Sequence, residues 1–480
     1  MGKNLIGSMS TQELAKTMQA QVIGRNVMFS SLSTDTRTLQ GGDAYLALRG
    51  EHFDGHDFCE VAASAGASTL IVERASTVAA AQLVVKDSHQ ALADIARFNR
   101  LRSQATVIAL TGSQGKTTVK EMIGSILTKC GSTHITRTNL NNTIGVPLTL
   151  LQLEEGHKYA VIEMGANRAG EIAFSVEATQ PDIALLTGAS AAHVEGFGSL
   201  EGIVEAKGEI LDGLSAEGIA VLNADDPHVQ RWIDRSAHCR VVLFSGSESI
   251  ASGSRREHQA DFLARQIKTH GGQGVEFELA TPSGSTIVSL HLLGEHNAIN
   301  AAAAAAVAME AGASLEQVRQ GLEAVQPVRG RLVQLAGRNG SIVIDDTYNA
   351  SPSSAMAAID VLAQFAESKV LIVGDMKELG AESAKFHANV GAYAKGCCID
   401  TLWACGEFAQ ETTNAFGPSA LMFASQQALI RHCQQQTHRG VVYLVKGSRG
   451  ARMENVVRGL LDERYSEATH EVELSTGRET

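Results

Sequence analysis

The 480-residue sequence lacks a charged leader followed by a long apolar stretch, so its opening, MGKNLIGSMSTQELAK, does not read as a secretory signal. It has no run of about 18 apolar residues either, and no membrane span is expected. No basic run of the kind that tracks a phosphate backbone is present. The formal net charge of −12 argues against nucleic acid as a partner. The seven cysteines (Cys59, Cys130, Cys239, Cys397, Cys398, Cys405 and Cys433) are scattered and without metal-type spacing. Reduced structural thiols are expected, and with them a cytoplasmic location. No repeat of solenoid period is visible. Nothing in the pattern demands an oligomer, so a monomer is expected.

What is there is the composition of a folded globular chain, 44% hydrophobic and 19% charged. The length allows about three domains of ~150 residues. Three blocks emerge. Residues 1–103 carry short β-like runs (AYLAL, STLIVE, AQLVV) and end in the helical stretch HQALADIARFNRLR. Residues 104–328 open with the apolar run Val107–Leu110 and continue with the strand candidates AVIEM, DIALLT and GIAVLN, separated by helical segments. That alternation predicts a mainly parallel sheet. A β-rich insert (GVEFELA, STIVSLHLL) then precedes NAINAAAAAAVAMEAG, read as a close-packed helix because alanine is the best helix former. Residues 329–480 repeat the alternation with SIVIDD, KVLIVGD, TLWACG and VVYLVKGS. Each of these last runs ends in Gly or Asp, at the edge where open α/β sheets meet their ligands. The stretch Pro327-Val328-Arg329-Gly330 reads as a linker. The fold class is α/β.

The most chemical segment follows Val107–Leu110: Thr111-Gly112-Ser113-Gln114-Gly115-Lys116-Thr117-Thr118, then the helical VKEMIGSILTK. A strand, a glycine-rich turn and a helix start gather backbone N–H groups into an anion cradle. Lys116 would reach terminal phosphates, and the Thr117 hydroxyl would hold Mg²⁺. The usual first glycine of the motif is missing, since Leu110 stands in its place. Such a loop needs an acidic partner for the metal. Glu163, ending AVIEM, is the candidate, and His193 in the loop GASAAHVEGFGS is a second. In SLEGIVEAKGEILDGL, Leu200, Ile203, Ile210 and Leu214 mark one helical face, and Lys207 falls on it. An inward lysine is costly unless paired or chemically altered. Either its stem packs while its head escapes, or CO₂ carbamylates it into an anion able to ligate a cation.

The ordered set TGSQGKTT, NNTIGVP, EMGANRAGEI, AAHVEGFGS with EAKGEI, GEHNAINAAAA, GRL, DDTYNASP, GDMKELG and VKGSRG resembles the Mur ligases, over about residues 30 to 457. The resemblance implies a small α/β UDP-binding N-terminal domain, a central P-loop ATPase domain and a Rossmann-like C-terminal domain. It implies ATP and Mg²⁺, with a carboxylate activated as an acyl phosphate and captured by an amine. DDTYNASP and AAHVEGFGS favour members that join D-alanyl-D-alanine to UDP-N-acetylmuramoyl-tripeptide in peptidoglycan precursor synthesis. The alternatives are siblings that add the third amino acid, or folylpolyglutamate-synthase-like enzymes. Carried over by motif, Lys116, Lys207 and His193 are the expected catalytic groups. Thr117, Glu163, His193 and a carbamylated Lys207 are the expected metal ligands. Gly112 to Thr118, Asn142 (or its neighbour Asn141), Asn297, Arg331 and Asp346 are the expected nucleotide contacts, with Asn300 a weaker match. Ser33, Asp35 and Arg37 in STDTR, and Lys446, Ser448 and Arg449 in VKGSRG, are candidates for holding the substrate. Hinges are expected near residues 104 and 329. From other classes, a P-loop switch or kinase would explain Lys116 and Thr117, but no NKxD base-specificity motif is present. A non-catalytic relative would not need the phosphate and metal residues.

Overall fold

The computed structural model describes residues 3–50, 53–190, 194–246 and 259–462. Three sheets follow one another along the chain, with six, nine and six strands. The first runs from Lys3–Ser10 to Ala81–Val84, the second from Thr106–Thr111 to Gly284–Leu290, and the third from Val333–Ala336 to Val441–Lys446. Each is mainly parallel, with antiparallel strands at its edges.

The elements that build the site can be numbered in chain order. Helix α1 (Ser88–Arg102) joins the first two sheets. Strand β1 (Thr106–Thr111) leads through the glycine loop into α2 (Lys116–Leu127). Strands β2 (Tyr159–Glu163) and β3 (Ile183–Leu186) lie on either side of β1, both parallel to it. Helix α3 (Leu200–Gly208) and the alanine-rich α4 (His296–Glu310) follow. In the third sheet β4 (Ile342–Asp346) pairs in parallel with β5 (Val441–Lys446), and α5 (Pro352–Ala363) follows β4.

Side-chain alternation explains the layering. Along β1, Val107 and Ala109 enter one core while Ile108 and Leu110 enter the other, because successive residues of a strand face opposite ways. A strand covered on both faces must be apolar where it is enclosed, and this one is from Val107 to Leu110. Ala301 to Ala306 fill the second core with methyl groups, so α4 lies close to the sheet. The third sheet is likewise covered twice: Ile344 and Leu444 face one core, Val343 and Tyr443 the other.

Two sequence expectations change. The segment read as one long helical face breaks after Gly208 into a 3-10 turn (Glu209–Gly213), and Leu214 is extended. Gly208 and Gly213 lower the helix propensity there. Ile203, Lys207, Ile210 and Leu214 are buried all the same. Second, the junction near residue 104 is no free joint. Leu5, Met9, Leu92 and Ile95 share one core with Val107, Val146 and Leu150. Buried Asn99 accepts from the Ile6 amide (2.7 Å) and donates to the carbonyls of Leu150 (2.9 Å) and Leu153 (3.3 Å). Arg100 reaches the Thr179 and Gln180 carbonyls, and Arg102 those of Ile6 and Ser8. One helix thus stitches the first two domains together.

Asn99→Ala strands one amide and two carbonyls in a dry interface. It is expected to destabilise the chain by about 2–3 kcal/mol, and calorimetry on the full chain should show the first domain melting ahead of the rest.

Candidate active site

The site begins with the turn after β1. Gly112 has φ 153° and Gly115 φ 77°, a region that side chains with a Cβ avoid. A Cβ on Gly112 would collide with the Thr187 hydroxyl, and one on Gly115 would stand 2.7 Å from Asn300 Oδ1. The loop is pinned from the neighbouring strand end: the Ser113 amide donates to the Gly188 carbonyl (2.9 Å) and the Thr187 hydroxyl to the Gln114 carbonyl (2.7 Å). Lys116 folds back, its Nζ 2.7 Å from the Gly112 carbonyl. Lost hydration pushes its pKa below the usual lysine range; Glu163 opposes that shift and Arg331 adds to it.

The registry of β1, β2 and β3 decides what surrounds the loop. Leu110 is level with Glu163 and Thr111 with Leu186, so the residues that follow emerge together at one sheet edge. Glu163 is 1% exposed. Its Oε1 accepts from the Thr117 hydroxyl (3.1 Å) and the Asn141 amide (2.8 Å), while its Oε2 is buried with no partner. Such an oxygen is costly unless something positive meets it. Lys207, 3% exposed, opens onto the same cavity, with Nζ 5.5 Å from the Phe197 ring centre. Burial first, then repulsion from Lys116, lowers its pKa to about 7, against the pull of Glu171 and Glu209.

The third domain closes the other side. Arg331 Nη2 donates to the Thr117 hydroxyl at 2.9 Å, and the Gln114 side chain donates to the Ser353 hydroxyl on α5. Lys446 and Asp346, neighbours across β4 and β5, pair at 2.5 Å. Asn300 donates to Asn297 Oδ1 (2.9 Å) in the first turns of α4, and burial lowers the pKa of His296 beside them. Together these groups line a cavity of about 510 Å³, an ordinary size for a small-molecule site.

Of the residues singled out from sequence, Gly112 to Lys116, Thr118, Asn142, Glu163, Lys207, Asn297, Arg331, Asp346 and Lys446 line this cavity, as do Asn141 and Asn300. Thr117 lies beneath it, between Glu163 and Arg331. The Asn142 side chain caps the Ile144 and Gly145 amides, so of the asparagine pair it is Asn141 that reaches the carboxylate. His193 lies outside the described residues. Ser33 ends a strand of the first sheet, Asp35 and Arg37 lie in the turn after it, and none of the three is part of the lining; Asp35 and Arg37 pair with each other at 2.7 Å. Ser448 is buried and occupied by the Lys377 amide and the Ala350 carbonyl, and exposed Arg449 pairs with Glu454. The lining also includes Glu171, Thr187, His296 and Tyr348, which sequence reading passed over. Thr187 could have been found as the residue ending DIALLT, and His296 within GEHN.

The loop geometry carries a direct test. Gly112→Ala is expected to cost about 2 kcal/mol or more in urea unfolding. Gly156→Ala, with nothing within 4 Å of the added methyl, is the control and should change little.

Comparison with known proteins agrees with this architecture. Residues 29–100 match the model of the Mur ligase family, catalytic domain; 110–308 the Mur ligase middle domain; and 330–449 the Mur ligase, glutamate ligase domain. UDP-N-acetylmuramoyl-tripeptide--D-alanyl-D-alanine ligase of Escherichia coli (strain K12) is 43% identical, covering 94% of this chain and 98% of the relative. A crystal structure of MurF from Acinetobacter baumannii superposes with TM-score 0.86 at 37% identity, over 94% of this chain and 98% of that one. MurF ligase from Thermotoga maritima in complex with ADP gives TM-score 0.79 at 28% identity, over 89% and 96%. With its three domains matched in order and its sheet-edge site intact, the chain belongs to the Mur ligase family.

Proposed function

We propose that this chain joins D-alanyl-D-alanine to UDP-N-acetylmuramoyl-tripeptide, the ligation that the name of its Escherichia coli relative states, and that it does so at the expense of ATP. The observation that carries the reading is the sheet-edge cluster itself: an anion-binding loop, a buried carboxylate with a vacant oxygen and a buried lysine, all opening on one cavity. A carboxylate is a poor electrophile. In the first step an oxygen of the tripeptide carboxylate bonds to the γ-phosphorus of ATP and the bond to ADP breaks. In the second, the dipeptide amine bonds to the acyl carbon, loses a proton, and expels inorganic phosphate.

The residues suit these steps. Two anions must meet, and Lys116, the loop amides and the start of α2 offset their repulsion. Lys116 needs only to exchange the Gly112 carbonyl for a phosphate oxygen. Thr117 and Glu163 fit Mg²⁺, which takes few protein oxygens and completes its shell with phosphate and water; the free Oε2 of Glu163 supports this. When bound, the ion neutralises phosphate charge as the bond to ADP breaks. Asn297, Arg331 and Asp346 would meet adenine, a phosphate and ribose; Ser33, Asp35 and Arg37 the UDP end of the substrate; Lys446, Ser448 and Arg449 the peptide end; and His193 the metal. The domain limits 1–103, 104–328 and 329–480 divide these duties. A third domain that already touches the loop through Arg331 and Ser353 supports closure about residue 329. Seven free thiols are in keeping with work in the cytoplasm.

Carbamylation of Lys207 belongs to the same proposal. A pKa of about 7 leaves much of the amine neutral near neutrality, and the neutral nitrogen is the form that attacks CO₂. The product is an anion where an ammonium would face Lys116.

ADP release is expected from the purified chain with UDP-N-acetylmuramoyl-tripeptide and D-alanyl-D-alanine, and not with single amino acids. Equal turnover with single amino acids overturns the assignment. With isotope-labelled bicarbonate, NMR should show a carbamate signal that grows as pH rises through about 7. The signal should vanish in Lys207→Ala, along with about a hundredfold of kcat.

A further inference from the structure

We propose that Tyr348 is a positioning residue: its ring holds Arg331 flat so that the guanidinium spans from the third domain to the phosphate loop. The inference rests on the ligase reading above and adds a residue to it.

An arginine side chain carries about 2 kcal/mol of rotamer freedom, so one that reaches across a domain boundary needs something to hold it. Here its backbone is fixed first. Gly330 (φ 74°) and Leu332 (φ 52°) are both left-handed, which turns Arg331 sharply out of the linker. The Arg331 amide donates to the Val328 carbonyl at 3.0 Å, closing that turn. Two further bonds staple the turn to the end of β4 and the segment after it: the Tyr348 amide to the Gly330 carbonyl (3.0 Å) and the Leu332 amide to Asp346 Oδ1 (3.3 Å). The approach is so close that a Cβ on Gly330 would stand 3.0 Å from the Tyr348 nitrogen and 3.1 Å from its Cβ.

The side chain is fixed second. Arg331 Cζ lies over the Tyr348 ring, 4.4 Å from its centre, a cation–π contact. In that pose Nη2 donates to the Thr117 hydroxyl, which itself donates to Glu163. Arg331 Nε is buried without a partner, so one donor of the fork is left over. Tyr348 and Arg331 line the cavity side by side. A ring at this place therefore sets the angle from which the guanidinium meets Thr117 and any phosphate above it. A leucine of comparable bulk would fill the space and leave the fork free to swing.

The test is a double-mutant cycle read in steady-state ligation and in binding of a non-hydrolysable ATP analogue. Tyr348→Leu should lower kcat/KM for ATP about tenfold, the scale of one partly buried cation–π contact, and weaken the analogue similarly, with KM for D-alanyl-D-alanine within about twofold. Tyr348→Phe keeps the ring and should stay within about twofold of the parent. In an Arg331→Met background, Tyr348→Leu should add nothing further. The proposal is overturned if Tyr348→Leu matches the parent, if Tyr348→Phe is as impaired as Tyr348→Leu, or if the loss persists in full without Arg331. Should the parent fail to ligate, the ligase reading falls, while the analogue-binding cycle still decides the role of Tyr348.

Discussion

A buried carboxylate with half of its hydrogen-bonding capacity spent is the constraint around which this molecule is arranged. Glu163 ends a strand whose every side chain is enclosed. Its Oε1 is taken by Thr117 and Asn141, and its Oε2 faces no donor. An anion so placed attracts positive charge from whatever element can supply it. Lys116 comes from the loop and Arg331 from another domain, and both sit within its field. Burial first, and then the nearby Lys116, lowers the pKa of Lys207, so the chemistry available to one side chain is set by its enclosure and by the charges around it.

Much of this was legible before any coordinates, because the signals are local. The phosphate loop is a contiguous string whose glycines are dictated by positive φ and close contact. Glu163 was legible as the polar end of an apolar strand, and Lys207 as an inward residue on a helical face even though the helix stops at Gly208. What stayed hidden depends on partners far away in sequence. Asn141 reaches Glu163 because of where the chain turns back toward β2. Tyr348 matters through a ring face over Arg331, which no spacing rule reports. Strands such as Arg240–Ser245 and Phe262–Thr269 were not anticipated, the second because only Phe262 and Ala264 of it are buried and polar or charged residues fill much of the rest.

The two domain junctions are built on different physics. The first is apolar and internally bonded, with Asn99 satisfying three backbone groups at once. The second seats Leu293 in the core of the third domain and adds, at the cavity, the polar contacts of Arg331 with Thr117 and of Gln114 with Ser353. Contacts of the first kind break only with the fold, whereas the polar contacts of the second junction can be exchanged for a ligand's oxygens at little cost.

The alanine-rich helix shows how packing far from the cavity constrains it. Ala301 to Ala306 are at most 1% exposed, so α4 rests on the sheet with no slack. Its first turns carry Asn297 and Asn300 to the cavity wall. At about 1.5 Å of rise per residue, a rigid rod wedged outward at its middle by one larger side chain would tip like a seesaw and carry both asparagines away from the opening. Recognition at that wall is thereby tied to methyl-sized residues that never touch a ligand, and the helix can vary only where it leaves the sheet.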